Sequence, residues 1–292
     1  MRLGIYQFQD LLDETALNSL EKEYGSAISI LSFYRAWNHC SIENDLSWLH
    51  GVLSSSKEIL LTWEPWLLPA DPNTPENQPA FSYKNIISGL YDTYIKAFAS
   101  ALALSKRTIY LRPMHEMNGF WYPWCGTSNH NSPEEYVIVW NHIRNIFNEE
   151  GAINIKWVWS PYASSYPDSS SNALSSYFPG DDVIDMVALD GYNWGTSTKW
   201  GEWQSFSSIF KQGYDIVTSL STRPVIITET GCTEVGGSKA EWINEMFSVL
   251  PSEFEQVEAM VWFDIHKECD WRITSSLKSL NAFIKGASTA FY

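Results

Sequence analysis

Short runs of β-branched and aromatic residues recur along this chain, each of strand length and apolar on both faces. The runs are Leu3–Phe8, Ala27–Phe33, Glu58–Trp63, Arg107–Leu111, Ile153–Trp159, Val183–Leu189, Pro224–Thr228 and Val257–Phe263. Between them apolar residues return at helical spacing. That spacing predicts helices over Asp13–Tyr24, Ile42–Ser54, Tyr83–Ser105, Pro133–Glu149, Trp203–Leu220, Ser238–Leu250 and Ser275–Lys285. Ser132 followed by Pro133 is a cap-then-proline helix start. Only the Ser-rich stretch from Ser164 to Ser176 lacks a helical period and predicts no more than a short turn.

Strands buried on both faces and alternating with helices predict a parallel sheet covered on both sides. An open doubly wound sheet would need phosphate-type glycines after its first strand, where this chain has Gln7-Phe8-Gln9-Asp10. The expectation is an α/β fold, a closed (β/α)8 TIM barrel. No repeat, linker or composition shift divides the chain, so residues 1–292 are read as one catalytic domain.

In such a barrel the working residues come from the C-terminal strand ends and the loops beyond them. Those ends carry Gln7 and Asp10; Tyr34, Trp37 and His39; Trp63, Glu64 and Trp66; and His115, Glu116 and Trp121. The later strands add Trp159 and Tyr162; Asp190, Tyr192 and Trp194; Glu229; and Trp262, Asp264, His266 and Trp271. Polar and aromatic residues thus gather on one face of the predicted barrel.

Composition narrows the partners. A net charge of −15 argues against nucleic acid, whose phosphates it would repel. With 15 Trp and 15 Tyr the chain has more rings than a core requires, which points to a binding surface for something flat. No run of about 18 apolar residues predicts a membrane span. The N-terminal residues lack the zones of a signal peptide, so the chain is either cytoplasmic or extracellular with its leader outside this sequence. Cys40, Cys125, Cys232 and Cys269 are spaced too far apart for CxxC chemistry; free thiols or one disulfide are expected, and no metal site.

The chemistry concentrates in Arg112-Pro113-Met114-His115-Glu116-Met117-Asn118-Gly119, where the fourth strand runs out, with Trp121, Tyr122 and Trp124 close behind. Pro113 cannot extend the ladder. Across the mouth, the seventh strand ends in Thr228-Glu229-Thr230-Gly231. Two opposed carboxylates between aromatic walls is the arrangement that hydrolyses glycosides. A gap of about 5–5.5 Å would give retention, and roughly 6.5–9.5 Å would leave room for water and give inversion. In this reading Glu116, kept protonated by burial, is the acid, and Glu229 the nucleophile. Tyr192 would hold Glu229, His115 would bind a hydroxyl or orient a neighbour, and Trp262 would be the floor under the reacting sugar. A lone strand-end glutamate is more often structural, and so is a lone histidine. The HExxH zinc motif is excluded by Gly119. Asp190 reads equally well as a buttress.

The same residues resemble glycoside hydrolase family 26, a retaining barrel clan with glutamates on the fourth and seventh strands. The resemblance rests on Arg112 to Gly119 with Trp121 and Trp124, Asp190-Gly191-Tyr192, Ile227 to Gly231, and Val261-Trp262-Phe263. It implies Glu116 as acid/base and Glu229 as nucleophile, with His115, Trp121, Tyr192 and Trp262 around the cleaved bond. Trp63, Glu64, Trp124, Trp194 and Trp271 complete the expected substrate-binding set. Mannanases of the family often carry Arg directly after the tryptophan of strand eight, where this chain has Phe263. Thr62 to Trp66, Asp190 to Trp194 and Asp270-Trp271-Arg272 look more like its β-glucanase branch.

The expectation is a monomeric retaining endo-β-glycanase acting without cofactor on β-1,3-1,4-glucan. β-1,4-Mannan and β-1,3-xylan are the alternative substrates. A polymeric substrate favours the extracellular location. A silent carbohydrate-binding barrel and an acidic metabolic barrel are the competing classes.

Overall fold

A computed structural model describes residues 1–7 and 12–290. Its strands are β1 Arg2–Tyr6, β2 Ile30–Ala36, β3 Glu58–Glu64, β4 Ile109–Pro113, β5 Ile155–Trp159, β6 Met186–Asn193, β7 Val225–Cys232 and β8 Val257–Phe263. All pair in parallel, in chain order, and β1 closes on β8. The predicted TIM barrel is the observed fold. Phe8 and Asp10 of the sequence reading lie outside the described residues, as does the His39 side chain.

Helices α1 Glu14–Tyr24, α2 Glu43–Leu53, α3 Tyr83–Ile87, α4 Asp92–Leu104, α5 Pro133–Glu149, α6 Phe206–Leu220, α7 Lys239–Glu253 and α8 Leu277–Ala290 cover the barrel. Ser132, Ser205 and Ser238 each accept a backbone N–H three residues on, which fixes the starts of α5, α6 and α7. The helix expected over Tyr83–Ser105 is two helices. Gly89, at φ +85°, takes a left-handed turn between α3 and α4. After β5 the Ser-rich segment forms only 3₁₀ turns at Ser170–Asn172 and Leu174–Tyr177.

Side chains alternate across each strand. Ile30, Leu60, Val158, Met186, Ala188, Ile226, Ala259 and Val261 point inward and form a buried apolar plug. The other parity packs outward against the helices in the main core, where Trp63, Trp157, Trp159 and Trp262 lie. Strands β6 and β7 run four residues further toward the mouth than their apolar runs predicted, because their polar ends still find ladder partners. All four cysteines are free thiols.

Candidate active site

Two residues above the apolar plug, the inward positions become polar. Thr62, Arg112, Ser160, Asp190 and Thr228 are fully or almost fully buried there and bonded to one another. Arg112 Nη1 donates to both Asp190 oxygens at 2.9 and 2.8 Å, and its Nε and Nη2 donate to Thr62 Oγ1 at 2.9 and 2.7 Å. Ser160 and Thr228 hydroxyls also donate to Asp190, at 3.0 and 2.6 Å. A buried ion pair costs several kcal/mol per ion in desolvation unless donors and acceptors are satisfied; here they are. Asp190 is a buttress, the alternative to its place among the working strand-end residues.

This polar layer carries Glu229. The register of β6 on β7 slips so that Leu189 pairs with Ile227 but Asp190 pairs with Glu229. Thr228 is the extra residue of a bulge, which lets neighbours Thr228 and Glu229 both reach inward partners. Arg112 Nη2 donates to Glu229 Oε1 at 2.5 Å and Tyr192 OH to Oε2 at 2.5 Å. Gly231 lies within β7 without left-handed backbone, and Trp271 packs over it.

Glu116 is delivered differently. Met114 and Glu116 hold φ at +52° and +53°. For such side chains this is strained backbone, of order 1–3 kcal/mol each, and it persists only where the surroundings enforce it. Met114 N–H donates to Trp63 O at 3.1 Å and Glu116 N–H to Ser160 O at 2.7 Å. A Cβ on Gly119 would sit 2.6 Å from the Trp121 ring. Glycine therefore allows Trp121 to fold back and donate Nε1 to Glu116 Oε2 at 2.6 Å. Burial, reinforced by the Glu229 carboxylate, pushes the Glu116 carboxyl well above the usual carboxylate range.

His115, Glu116 and Glu229 bring one ligand atom each to within 4.8 Å of one another. Neither ring nitrogen of the buried His115 has a hydrogen-bond partner among the described residues, and Nε2 lies 3.7 Å from Glu229 Oε1. Burial, with Arg112 adding to it, lowers the His115 pKa well below its ordinary value, so the ring is neutral. The trio could hold a cation by distance alone, but Arg112 already occupies Glu229 Oε1 and supplies the positive charge.

Glu64 continues the inward row Leu60, Thr62 into the mouth. Its carboxyl accepts from Trp66 Nε1 at 3.3 Å, and burial pushes it up to about 8. The family model described as Glycosyl hydrolase family 26 matches residues 73–244, more than half of the chain and including both glutamates. The chain belongs to glycosyl hydrolase family 26. It is 34% identical to Endoglucanase H of Acetivibrio thermocellus over 92% of this chain and 28% of that protein. It is 30% identical to a mannan endo-1,4-beta-mannosidase of Bacillus subtilis over 44% of this chain and 32% of that one. The chain thus spans about a third or less of the length of these relatives. Among solved structures, a Bacillus subtilis mannanase superposes with a TM-score of 0.66 at 18% identity, covering 97% of this chain and 83% of that one. An endo-beta-1,4-mannanase from Bacillus sp. JAMB-750 gives 0.70 at 14%, covering 99% and 85%. At those identities the likeness is one of fold.

Of the residues that the family 26 resemblance marked, the structure gathers Glu116, Glu229, His115, Trp121, Tyr192 and Glu64 at the mouth. Trp262 and Trp63 depart from expectation: both occupy the outward parity and are sealed from solvent. Trp262 packs against Trp242 and Phe283 and donates to Trp271 O at 2.8 Å. Trp63 stacks on Phe98 at 4.5 Å. Their inward neighbours, Phe263 and Glu64, take the mouth positions instead. Trp124 is likewise buried; it stacks under Tyr122 at 4.4 Å and bonds His115 O at 2.6 Å, backing the site from behind. Trp271 closes the floor beneath Tyr192 and the half-buried Trp194, at 5.0 and 4.9 Å. Trp37 and Trp159, also read as strand-end candidates, are core.

The sequence placed Tyr34 at a strand end, Arg112 at the head of the motif and Tyr122 behind it, but gave none of the three a role in the site. Arg112 Nη2 donates to Tyr34 OH at 3.1 Å, and the Tyr122 ring lies 4.9 Å from His115. A charged residue on the inward parity of a buried strand, two places after Tyr110, was the available signal for Arg112.

Proposed function

We propose that this chain is a retaining endo-β-glycanase. The observation that carries the reading is a pair of carboxyl groups with oxygens within 4.8 Å, one held by Arg112 and Tyr192 and the other, among the described residues, by Trp121. That separation falls on the side of the retaining arrangement, at about 5–5.5 Å, rather than the inverting one.

In this mechanism Glu229 attacks the anomeric carbon as its bond to the leaving oxygen breaks, and the Glu116 proton passes to that oxygen. The covalent glycosyl-enzyme is then cleaved by water, whose proton returns to Glu116 as the sugar leaves Glu229. Arg112 and Tyr192 orient the nucleophile. His115, neutral and with unfilled ring nitrogens, donates to or accepts from a sugar hydroxyl.

For substrate we infer mixed-linkage β-1,3-1,4-glucan. Alignment over 92% of the chain to a protein named Endoglucanase H supports it. So does Phe263, stacked on Tyr6 at 4.8 Å where a cationic side chain would be expected in a mannanase. β-1,4-Mannan is the second reading, favoured by relatives and solved structures that carry the mannanase name. A polymeric substrate argues for a monomer working outside the cell, and among the described residues no helix is long and apolar enough to cross a membrane. Reducing-sugar release from barley β-glucan, lichenan, glucomannan, galactomannan and β-1,3-xylan tests all of this. Fastest release from the first two is expected. Faster release from the mannans would overturn the substrate, and no release from any would favour a binding-only barrel.

A further inference from the structure

Among the described residues three aromatic side chains are exposed: Phe120 at 58%, Tyr166 at 45% and Trp200 at 70%. All three sit on loops leaving the C-terminal ends of consecutive strands β4, β5 and β6. Two of them flank Trp121, whose ring centroid lies 5.3 Å from Phe120 and 6.1 Å from Tyr166. Trp121 in turn donates to Glu116. Ring contacts therefore run without a break from the buried carboxyl out to solvent.

At its outer end Phe120 borders a groove of about 420 Å³. Thr74, Glu76 and Asn77 line it from the loop after β3, and Thr127, Ser128 and Asn129 from the loop after β4. Its frame is fixed: Asn129 Nδ2 donates to Glu76 O at 2.7 Å and to Pro123 O at 3.0 Å, and Thr127 Oγ1 to Gly119 O at 3.0 Å. The side chains of Thr74, Glu76, Asn77 and Ser128 spend no donor or acceptor on the rest of the described chain. An exposed ring beside free hydroxyl, amide and carboxylate groups suits a pyranose, which offers a C–H face to the ring and hydroxyls at its edge.

We propose that Tyr166, Trp121 and Phe120 form a stacking track, and that the groove beyond Phe120 binds further sugar units of a β-glycan on the leaving-group side of the cleaved bond. The side follows from the acid. A proton donor addresses the leaving oxygen, so the surface continuous with Glu116 is the one over which the leaving chain extends. The inference rests on the reading of Glu116 as that acid.

The test maps which bond is cut in a reducing-end-labelled mixed-linkage glucan hexasaccharide and in mannohexaose, with wild type, Phe120→Ala and Tyr166→Ala. Both variants alter exposed rings, and near-ultraviolet circular dichroism checks their fold. Expected is a shift of the main cut toward the reducing end in each variant, because fewer units are held beyond the scissile bond. A fall in kcat/KM on the hexasaccharide of about tenfold should accompany it, the size of one lost stacking contact. Unchanged cutting positions and kcat/KM in both variants would overturn the groove and leave the hydrolase reading standing. Failure of the wild type to cut either oligosaccharide would overturn the hydrolase reading and the groove with it.

Discussion

Glu116 and Glu229 have oxygens within 4.8 Å of each other, yet their surroundings differ in kind. Glu229 rises from a bulged strand onto a saturated polar layer, with a guanidinium on one oxygen and a phenol on the other. Glu116 hangs from a left-handed loop, with one neutral donor among the described residues, the Trp121 indole, on its carboxylate. In the proposed mechanism two identical side chains thus take opposite tasks from their partners: one is held in place to attack, the other keeps its proton until it is needed. On the proposed assignment, the strain at Met114 and Glu116 sits on the side that exchanges a proton, and the ion-paired rigidity on the side that attacks.

The largest test removes one half. Glu229→Ala should lower kcat on polysaccharide by on the order of 10⁴-fold or more, with the fold confirmed by circular dichroism; near-normal turnover would end the two-glutamate reading. Glu116→Ala should cost about 10²–10⁴-fold on polysaccharide but far less on an aryl glycoside whose leaving group needs no proton. Equal losses on both substrates would mean Glu116 is not the acid.

The pH profile sharpens the contrast. If Glu116 is the acid, it works protonated, and activity should fall as pH rises through its elevated pKa. The Glu229 charge helps to raise that pKa and the Trp121 bond lowers it. Carboxyl titration followed by NMR should therefore place the Glu116 pKa lower in Glu229→Gln than in wild type. In Trp121→Phe the alkaline limb of activity should move to higher pH. A Glu116 pKa that rises in Glu229→Gln, or an alkaline limb that moves to lower pH in Trp121→Phe, would overturn this assignment of partners.

A smaller effect concerns Glu64, whose carboxyl is also raised, to about 8. A folded-state pKa above the unfolded value means stability that is present at low pH and lost as pH climbs from the ordinary range through about 8. Thermal unfolding should show Tm falling between pH 5 and pH 9, with the slope flattened in Glu64→Gln; an unchanged slope would assign the loss to the other raised carboxyls, Glu116 and Asp190 among them. Smallest of all, Trp262→Phe should lower Tm by a few degrees, since it removes a buried indole and its bond to Trp271 O, while KM stays as it was. A KM rise would return Trp262 to the cleft.

Much of the fold was legible because its signals are local. Apolar runs at strand length with amphipathic segments between them foretold the barrel. Ser132, Pro133 and the apolar period foretold α5 to the residue. The break at Gly89 was missed because a single glycine within a helical period is a weak local signal, and its left-handed φ exists only in the folded chain. Trp63 and Trp262 were misread for a different reason. A strand of period two puts adjacent residues on opposite faces, so an error of one position exchanges the cleft for the core. Glu64 and Phe263, each one residue away, hold the places assigned to the tryptophans.

The sequence by itself determined the two glutamates, their strands and the aromatic wealth around them, since these follow from residue type and from which end of a strand each occupies. Tertiary structure alone decided the rest. The bulge at Thr228 that aims Glu229, the Arg112 bridge to strands more than 70 residues distant, and the burial that keeps Glu116 protonated all depend on groups brought together by barrel closure. Electrostatic environment is a property of neighbours in space, and the chain order of Glu116 and Glu229 carries no trace of it.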